Sequence, residues 1–113
     1  MNLSLNVHPT MKNSIKFKAR IFNALADPIR LEILEFLRKG ERCVCEIIPH
    51  VGTAQPLVSR HLAILKRYGL VKDRKEGNRR FYSVTNHAIF KLIDTVDANF
   101  MDALLKNVIE QIV

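Results

Sequence analysis

The stretch "VGTAQPLVSRHLAILKRYGL", residues 51 to 70, leaves the chain few folds to choose from. Gly52 supplies a turn, and Thr53 or Ala54 is placed to begin a helix. Pro56 is compatible with that helix only inside its first turn, where a proline deletes an amide that has no helical partner. The helix then runs to about Tyr68, ahead of Gly69. At about 100° per residue, Val58, Leu62 and Leu65 form one stripe, with Leu57, Ile64 and Tyr68 beside it. The opposite arc holds Gln55, Ser59, Ala63, Lys66 and Arg67, with Arg60 at its edge. That face is small and basic, which suits a DNA major groove, although an ordinary solvated face has the same make-up. His61 projects toward the apolar stripe and reads as a partly buried, hydrogen-bonded histidine.

Helical patterning also precedes this segment. From Ser14, apolar residues recur at mixed spacings through Ile15, Phe17, Ile21, Phe22 and Leu25, as in an amphipathic helix ending before Asp27. Asp27-Pro28 reads as a cap followed by a helix-starting proline. The helix that follows carries Ile29, Ile33, Leu34 and Leu37 and stops at Gly40. A short third helix is expected over roughly Cys43 to His50. Two helices joined by a Gly-containing turn make a helix-turn-helix.

Downstream, "LVKDRKEGNRRFYSV" has strand-forming residues at its ends and Gly77-Asn78 between, the signal of a two-residue β-hairpin. Arg74, Lys75, Arg79 and Arg80 crowd its tip against only Asp73 and Glu76, as in a finger that lies along phosphates or reaches a minor groove. A single long helix is expected over roughly 86–112. Its stripe of Ile89, Leu92, Ile93, Val96, Phe100, Leu104, Val108 and Ile112 extends farther than one small domain can cover, so it either pairs with a second copy or folds back on its own domain.

Composition agrees. Eighteen Lys and Arg against eleven Asp and Glu leave a charge of +7, which favours a polyanionic partner. Six Phe, two Tyr and no Trp disfavour a single-strand binder built on base stacking. Charges interrupt every apolar run before about 18 residues, so no membrane span is expected. Two cysteines make no disulfide framework, and nothing at the N-terminus has the pattern of a secretory signal. A cytoplasmic protein with reduced thiols is therefore expected. No nucleophile, base and orienting acid recur at a usable spacing, and no enzyme is expected. At 113 residues the chain fits one domain over 14–113, preceded by an arm over 1–13.

Four segments, in order over 24–84, carry a family resemblance: "ALADPIRLEIL", "CVCEI", "QPLVSRHLAILKRYGLV" and "EGNRRFYSV". Together they resemble the ArsR/SmtB family of metal-responsive transcriptional repressors. The resemblance implies a mainly α fold with a small β-hairpin, a winged helix-turn-helix whose first and last helices form a dimer interface. Ile15, Ile21, Phe22, Leu92, Val96, Phe100 and Leu104 are its candidate residues. It also implies a homodimer on a pseudo-palindromic double-stranded operator, with Gln55, Ser59 and Arg60 reading the major groove and Arg79 and Arg80 in the wing; Lys66, Arg74 and Lys75 complete the candidate DNA contacts.

By the same resemblance, Cys43 and Cys45 are candidate ligands for an effector, with no obligatory cofactor. Arsenic-sensing members carry a further cysteine three residues after the second, where this chain has Ile48. Two thiolates with an outside thiol, water or His50 suit As(III), Sb(III), Cd(II) or Zn(II). Related cadmium and lead sensors draw thiolates from the N-terminal arm, where only His8 is available here. The family's second site, across the terminal helices, maps to Asp94, Val96, Asn107 and Glu110 and lacks its imidazoles, which leaves Asp94 and Glu110 as solvated charges.

Two other readings of the cysteine pair stand beside metal sensing: a disulfide formed by oxidants, and two small residues packed under the recognition helix. On a regular helix, side chains two apart point about 200° apart, so one ion could hold both sulfurs only if the first turn of this helix melted.

Overall fold

A computed structural model describes residues 11–112, with side chains from residue 14. Residues 1–10, most of the expected arm and including His8, lie outside the described residues. Helix α1 (Met11–Leu25) begins three residues before the expected Ser14. Helix α2 (Pro28–Phe36) starts where Asp27 caps it: Oδ1 accepts from the amides of Ile29 at 2.8 Å and Arg30 at 3.1 Å. Then come strand β1 (Arg42–Cys43), helix α3 (Val44–Val51), helix α4 (Gln55–Arg67), strands β2 (Val71–Glu76) and β3 (Arg79–Val84), and helices α5 (Ala88–Thr95) and α6 (Ala98–Ile112).

The α3–turn–α4 unit follows the sequence expectation. Gly52 closes α3 with φ of 76°, in the left-handed region that costs glycine nothing. Ala54 precedes α4 in an extended conformation, and Pro56 occupies its first turn.

Ile33, Leu34 and Leu37 of the α2 segment meet Ile47 of α3 and Val58, Leu62 and Leu65 of α4, all almost fully buried. Each such side chain stabilises the fold by about 1.5–3 kcal/mol relative to exposure. Tyr82 and Val84 of β3 and Ile89 and Phe90 of α5 close the core from the sheet side.

Three expectations are corrected. The hairpin is part of a three-stranded antiparallel sheet of order β1-β3-β2, in which Arg42 pairs with Tyr82 and Cys43 with Phe81. Two residues carry too little alternation to register as a strand. The third helix begins at Val44, because Cys43 belongs to β1 and serves as the N-cap, with extended backbone at φ −69°, ψ 145°. The long terminal helix is two helices. Asp97 interrupts it by accepting from the amide of Phe100 at 2.8 Å through Oδ1, and from that of Met101 through its carbonyl, which starts a second helix.

Helix α6 does not fold back on the domain: every residue from Ala98 to Ile112 is exposed. Ile15, Phe22, Val96, Phe100 and Leu104 of the expected dimer set are likewise exposed, by 61, 55, 51, 46 and 49%. Ile21 and Leu92 are half-buried against the core. Between α1 and the α5–α6 corner lies an open apolar groove of about 600 Å³, with Phe22, Leu31, Val96, Phe100 and Met101 on its walls.

Candidate nucleic-acid interface and effector site

Gln55, Ser59, Arg60, Ala63, Lys66 and Arg67 are exposed along α4, opposite the buried Val58, Leu62 and Leu65. His61 is buried. Its Nδ1 lies 3.0 Å from Nη1 of Arg30, whose Nε and Nη2 donate to the carbonyls of Ala24 and Asn23. Arginine only donates, so Nδ1 is the acceptor in this contact. The carbonyls at the end of α1, Arg30 of α2 and His61 of α4 thus form one polar strut, which fixes how the recognition helix sits on the domain.

The basic residues of the wing are less available than their number suggests. Lys66 and Arg80 both close on Asp73, Lys66 at 2.9 Å, and they hold its carboxyl below the usual carboxylate range despite burial. This ties the recognition helix to the wing. Arg74 spans Glu41, at 2.7 and 2.8 Å, and Glu76, at 2.6 Å, while stacking over Phe81. The Arg74 guanidinium accordingly holds the Glu41 carboxyl low. Lys75 and Arg79 have no ion-pair partner among the described residues. With Lys72 lower on β2, which likewise has none, they are the exposed basic side chains of the wing not closed on a carboxylate.

Cys43 and Cys45 are joined in a disulfide, with Cα atoms 5.0 Å apart. The expected opposition of the two sulfurs does not occur, because Cys43 is outside the helix. From its extended backbone, a side chain two residues from the next shares a face with it. Helix α3 stays intact, so no first turn has to melt. The cap itself is polar: the Cys45 amide donates to Sγ of Cys43 at 3.1 Å, and Oε1 of Glu46 accepts from the Cys43 amide at 2.9 Å. Further along, Pro49 removes the amide that would close on the Cys45 carbonyl, an interruption the sequence reading passed over. The two cysteines differ in access: Cys43 is 4% exposed, Cys45 is open.

A groove of about 410 Å³ opens beside the pair, bounded by Ser59 and Leu62 of α4, by Asn78 and Arg79 at the wing tip, and by Arg80 and Tyr82 of β3. Effector candidates and DNA candidates therefore share one cleft. Only when the disulfide is reduced do the two sulfurs become thiolate donors suited to a thiophilic ion. Among the described residues no group of three His, Cys, Asp or Glu side chains converges to close a three-ligand centre. His50 is engaged elsewhere, stacked on Phe36 with ring centroids 3.9 Å apart. Asp94, expected as a solvated charge, is exposed but clamped by Arg38 at 2.8 and 2.9 Å. Glu110 is exposed on α6. No described helix is long and apolar enough to cross a membrane.

Comparison with known proteins adds to this geometry. Residues 27–73 match the family model described as bacterial regulatory protein, arsR family. An uncharacterised HTH-type transcriptional regulator of Methanocaldococcus jannaschii is 46% identical over 80 residues, covering 70% of this chain and 90% of that one. An arsenical resistance operon repressor of Staphylococcus aureus is 42% identical over 76 residues, covering 67% and 72%. Among solved structures, a homodimeric winged helix-turn-helix DNA-binding domain of Mycobacterium bovis, described as a possible ArsR-family regulator, superposes with a TM-score of 0.71. It is 31% identical, covering 87% of this chain and 93% of that one. With its three-stranded wing, its α3–turn–α4 unit and these relatives, the chain belongs to the ArsR/SmtB family of winged helix-turn-helix, DNA-binding transcriptional repressors.

Proposed function

We propose that this chain is a cytoplasmic, homodimeric repressor of a pseudo-palindromic operator, and that thiol chemistry at Cys43 and Cys45 lowers its DNA affinity. The observation that carries the proposal is the shared cleft, in which the cysteine pair, Ser59 of the exposed α4 face and Arg79 of the wing border the same space. Gln55, Ser59 and Arg60 read base edges, while Lys75 and Arg79 contact phosphates. Lys66, Arg74 and Arg80, tied to carboxylates, set the angle between recognition helix and wing. The exposed faces of α1 and α6 meet the same faces of a second copy, in keeping with the homodimeric relative. The domain so defined spans 14–113, with the preceding residues as an arm.

The effector in this reading is a thiophilic ion such as As(III), Sb(III) or Cd(II), which Cys43 and Cys45 would hold once reduced to thiolates; bound there, it would add bulk beside the DNA-reading surface. An effector that binds the free form better than the DNA-bound form lowers DNA affinity by that difference. Titrating a duplex from the region upstream of the chain's own gene, with and without arsenite or cadmium, tests the proposal. Equal affinity in both arms removes metal sensing, and the lack of any sequence preference at moderate salt removes the repressor.

Redox sensing is favoured as a second reading by one observation: the two sulfurs join without disturbing α3 and without a third ligand. Peroxide-dependent release from DNA that survives in the Cys43→Ser and Cys45→Ser variants would eliminate it.

A further inference from the structure

We propose that the Cys43–Cys45 disulfide is a receptor for a small anionic thiol, which becomes attached to Cys45 as a mixed disulfide lying in the cleft between the recognition helix and the wing. The inference rests on the reading of this pair as the effector site, and it names a ligand class and a point of attachment.

Three features converge on it. Access is one-sided, since Cys45 is exposed and Cys43 is 4% exposed, so an incoming sulfur reaches Cys45. The leaving side is prepared: Sγ of Cys43 already accepts the Cys45 amide at 3.1 Å at the N-terminus of an eight-residue helix, where amide dipoles hold negative charge. The cleft is also charged. Arg79 borders it with no carboxylate partner among the described residues, and Asn78 adds a polar side chain. Glu46 is the nearby acid, but its carboxylate is occupied by the Cys43 amide at 2.9 Å and by Arg42 at 3.7 Å.

The chemistry balances without a metal. A hydroperoxide first oxidises the two thiols to the disulfide and is itself reduced to an alcohol, or to water from hydrogen peroxide, with water as the second product. The thiolate of the small molecule then attacks Sγ of Cys45. A new sulfur–sulfur bond forms, the Cys43–Cys45 bond breaks, and its electron pair leaves on Sγ of Cys43 as a thiolate under the Cys45 amide. The small thiol is oxidised to the disulfide level and Cys43 is reduced, so the exchange needs no further oxidant. The attached group occupies space beside Ser59 and neutralises Arg79, both facing the proposed DNA surface.

The test uses the full chain, oxidised with hydrogen peroxide and then exposed to 2-mercaptoethanesulfonate or cysteamine, thiols of similar size and opposite charge. Tandem mass spectrometry is expected to place the adduct on Cys45 with Cys43 free. The rate ratio of anionic to cationic thiol is expected to fall about threefold in Arg79→Glu, the scale of an exposed ion pair. The wild-type adduct is expected to bind the upstream duplex at least about tenfold more weakly than the oxidised, unadducted protein, the loss that follows from removing one charged hydrogen bond to phosphate. An adduct on Cys43, a ratio unmoved by Arg79→Glu, or an adduct that binds DNA as well as the disulfide form would overturn the inference. These outcomes are separate from the failure of the underlying reading, which shows as a wild-type chain whose DNA affinity responds neither to arsenite nor to peroxide.

Discussion

Arg30 of α2 donates to Nδ1 of His61 at 3.0 Å, so a guanidinium at the start of one helix anchors the buried imidazole of the recognition helix. The same guanidinium satisfies the carbonyls of Ala24 and Asn23. Arg30→Met strands three acceptors at once. A part-buried polar group left without its partner costs about 1–3 kcal/mol, and water recovers some of that at this depth. Urea unfolding is expected to show a loss of about 2–4 kcal/mol, with His61→Leu milder because it removes an acceptor and leaves Arg30 its other two bonds. A loss under about 0.5 kcal/mol for Arg30→Met would mean the strut contributes nothing.

Asp73 joins Lys66 and Arg80, and these cations hold its carboxyl below the ordinary value against the opposing effect of burial. A carboxyl depressed in the folded state contributes stability above its unfolded pKa, about 3.9, and that contribution is lost as pH falls through the folded value. Asp73→Asn is therefore expected to lower stability by about 1–2 kcal/mol at pH 7 and to flatten the decline below about pH 4. Thermal melts from pH 7 to pH 2 check both halves.

The paired and open cations of the wing should separate in a salt titration. Each phosphate contact contributes about 0.9 to the slope of log affinity against log salt. Arg79→Ala and Lys75→Ala are each expected to reduce that slope by about one unit per protomer. Arg80→Ala should move it less while loosening the wing, since Arg80 is closed on Asp73.

For the cysteines, Cys43→Ser keeps a residue type favoured at helix N-caps, and Cys45→Ser alters an exposed side chain. Both variants are expected to stay within about 0.5 kcal/mol of the parent and to keep its DNA affinity while losing the response to arsenite or peroxide. Denaturation and DNA titration run together distinguish lost sensing from lost folding.

Helix α6 buries none of its apolar residues within its own chain. Phe100→Asp and Leu104→Asp are expected to shift the protein to monomer in sedimentation. The parent's melting temperature is expected to rise with protein concentration, as for any folded form stabilised by association. A concentration-independent melt would exclude the dimer.

Much of this arrangement was legible because local chemistry and tertiary packing agree. Asp27-Pro28, Gly52, Pro56 and Gly77-Asn78 each permit one backbone solution, and the Val58, Leu62 and Leu65 stripe leaves one face to bury. What escaped depended on partners distant in the chain. Residues Arg42–Cys43 are a strand only because Tyr82 and Phe81 lie alongside. Arg74 looks free until Glu41, 33 residues away, folds back against it. Asp97 was readable as a cap, but the unbroken apolar spacing on either side of it concealed the restart. At the cysteines an offset of one residue decided the chemistry: inside the helix the sulfurs would diverge, whereas at its threshold they meet.

That threshold has a further consequence. Cys43 is at once the last residue of β1, across from Phe81, and the cap of the helix that leads through Gly52 into α4. On the proposed function, a chemical change at this sulfur would act in two directions, sideways into the sheet that carries the wing and forward into the turn that aims the recognition helix. A regulator so built would need no relay through its core, because the proposed sensor and the two parts it would steer share a single residue as their joint.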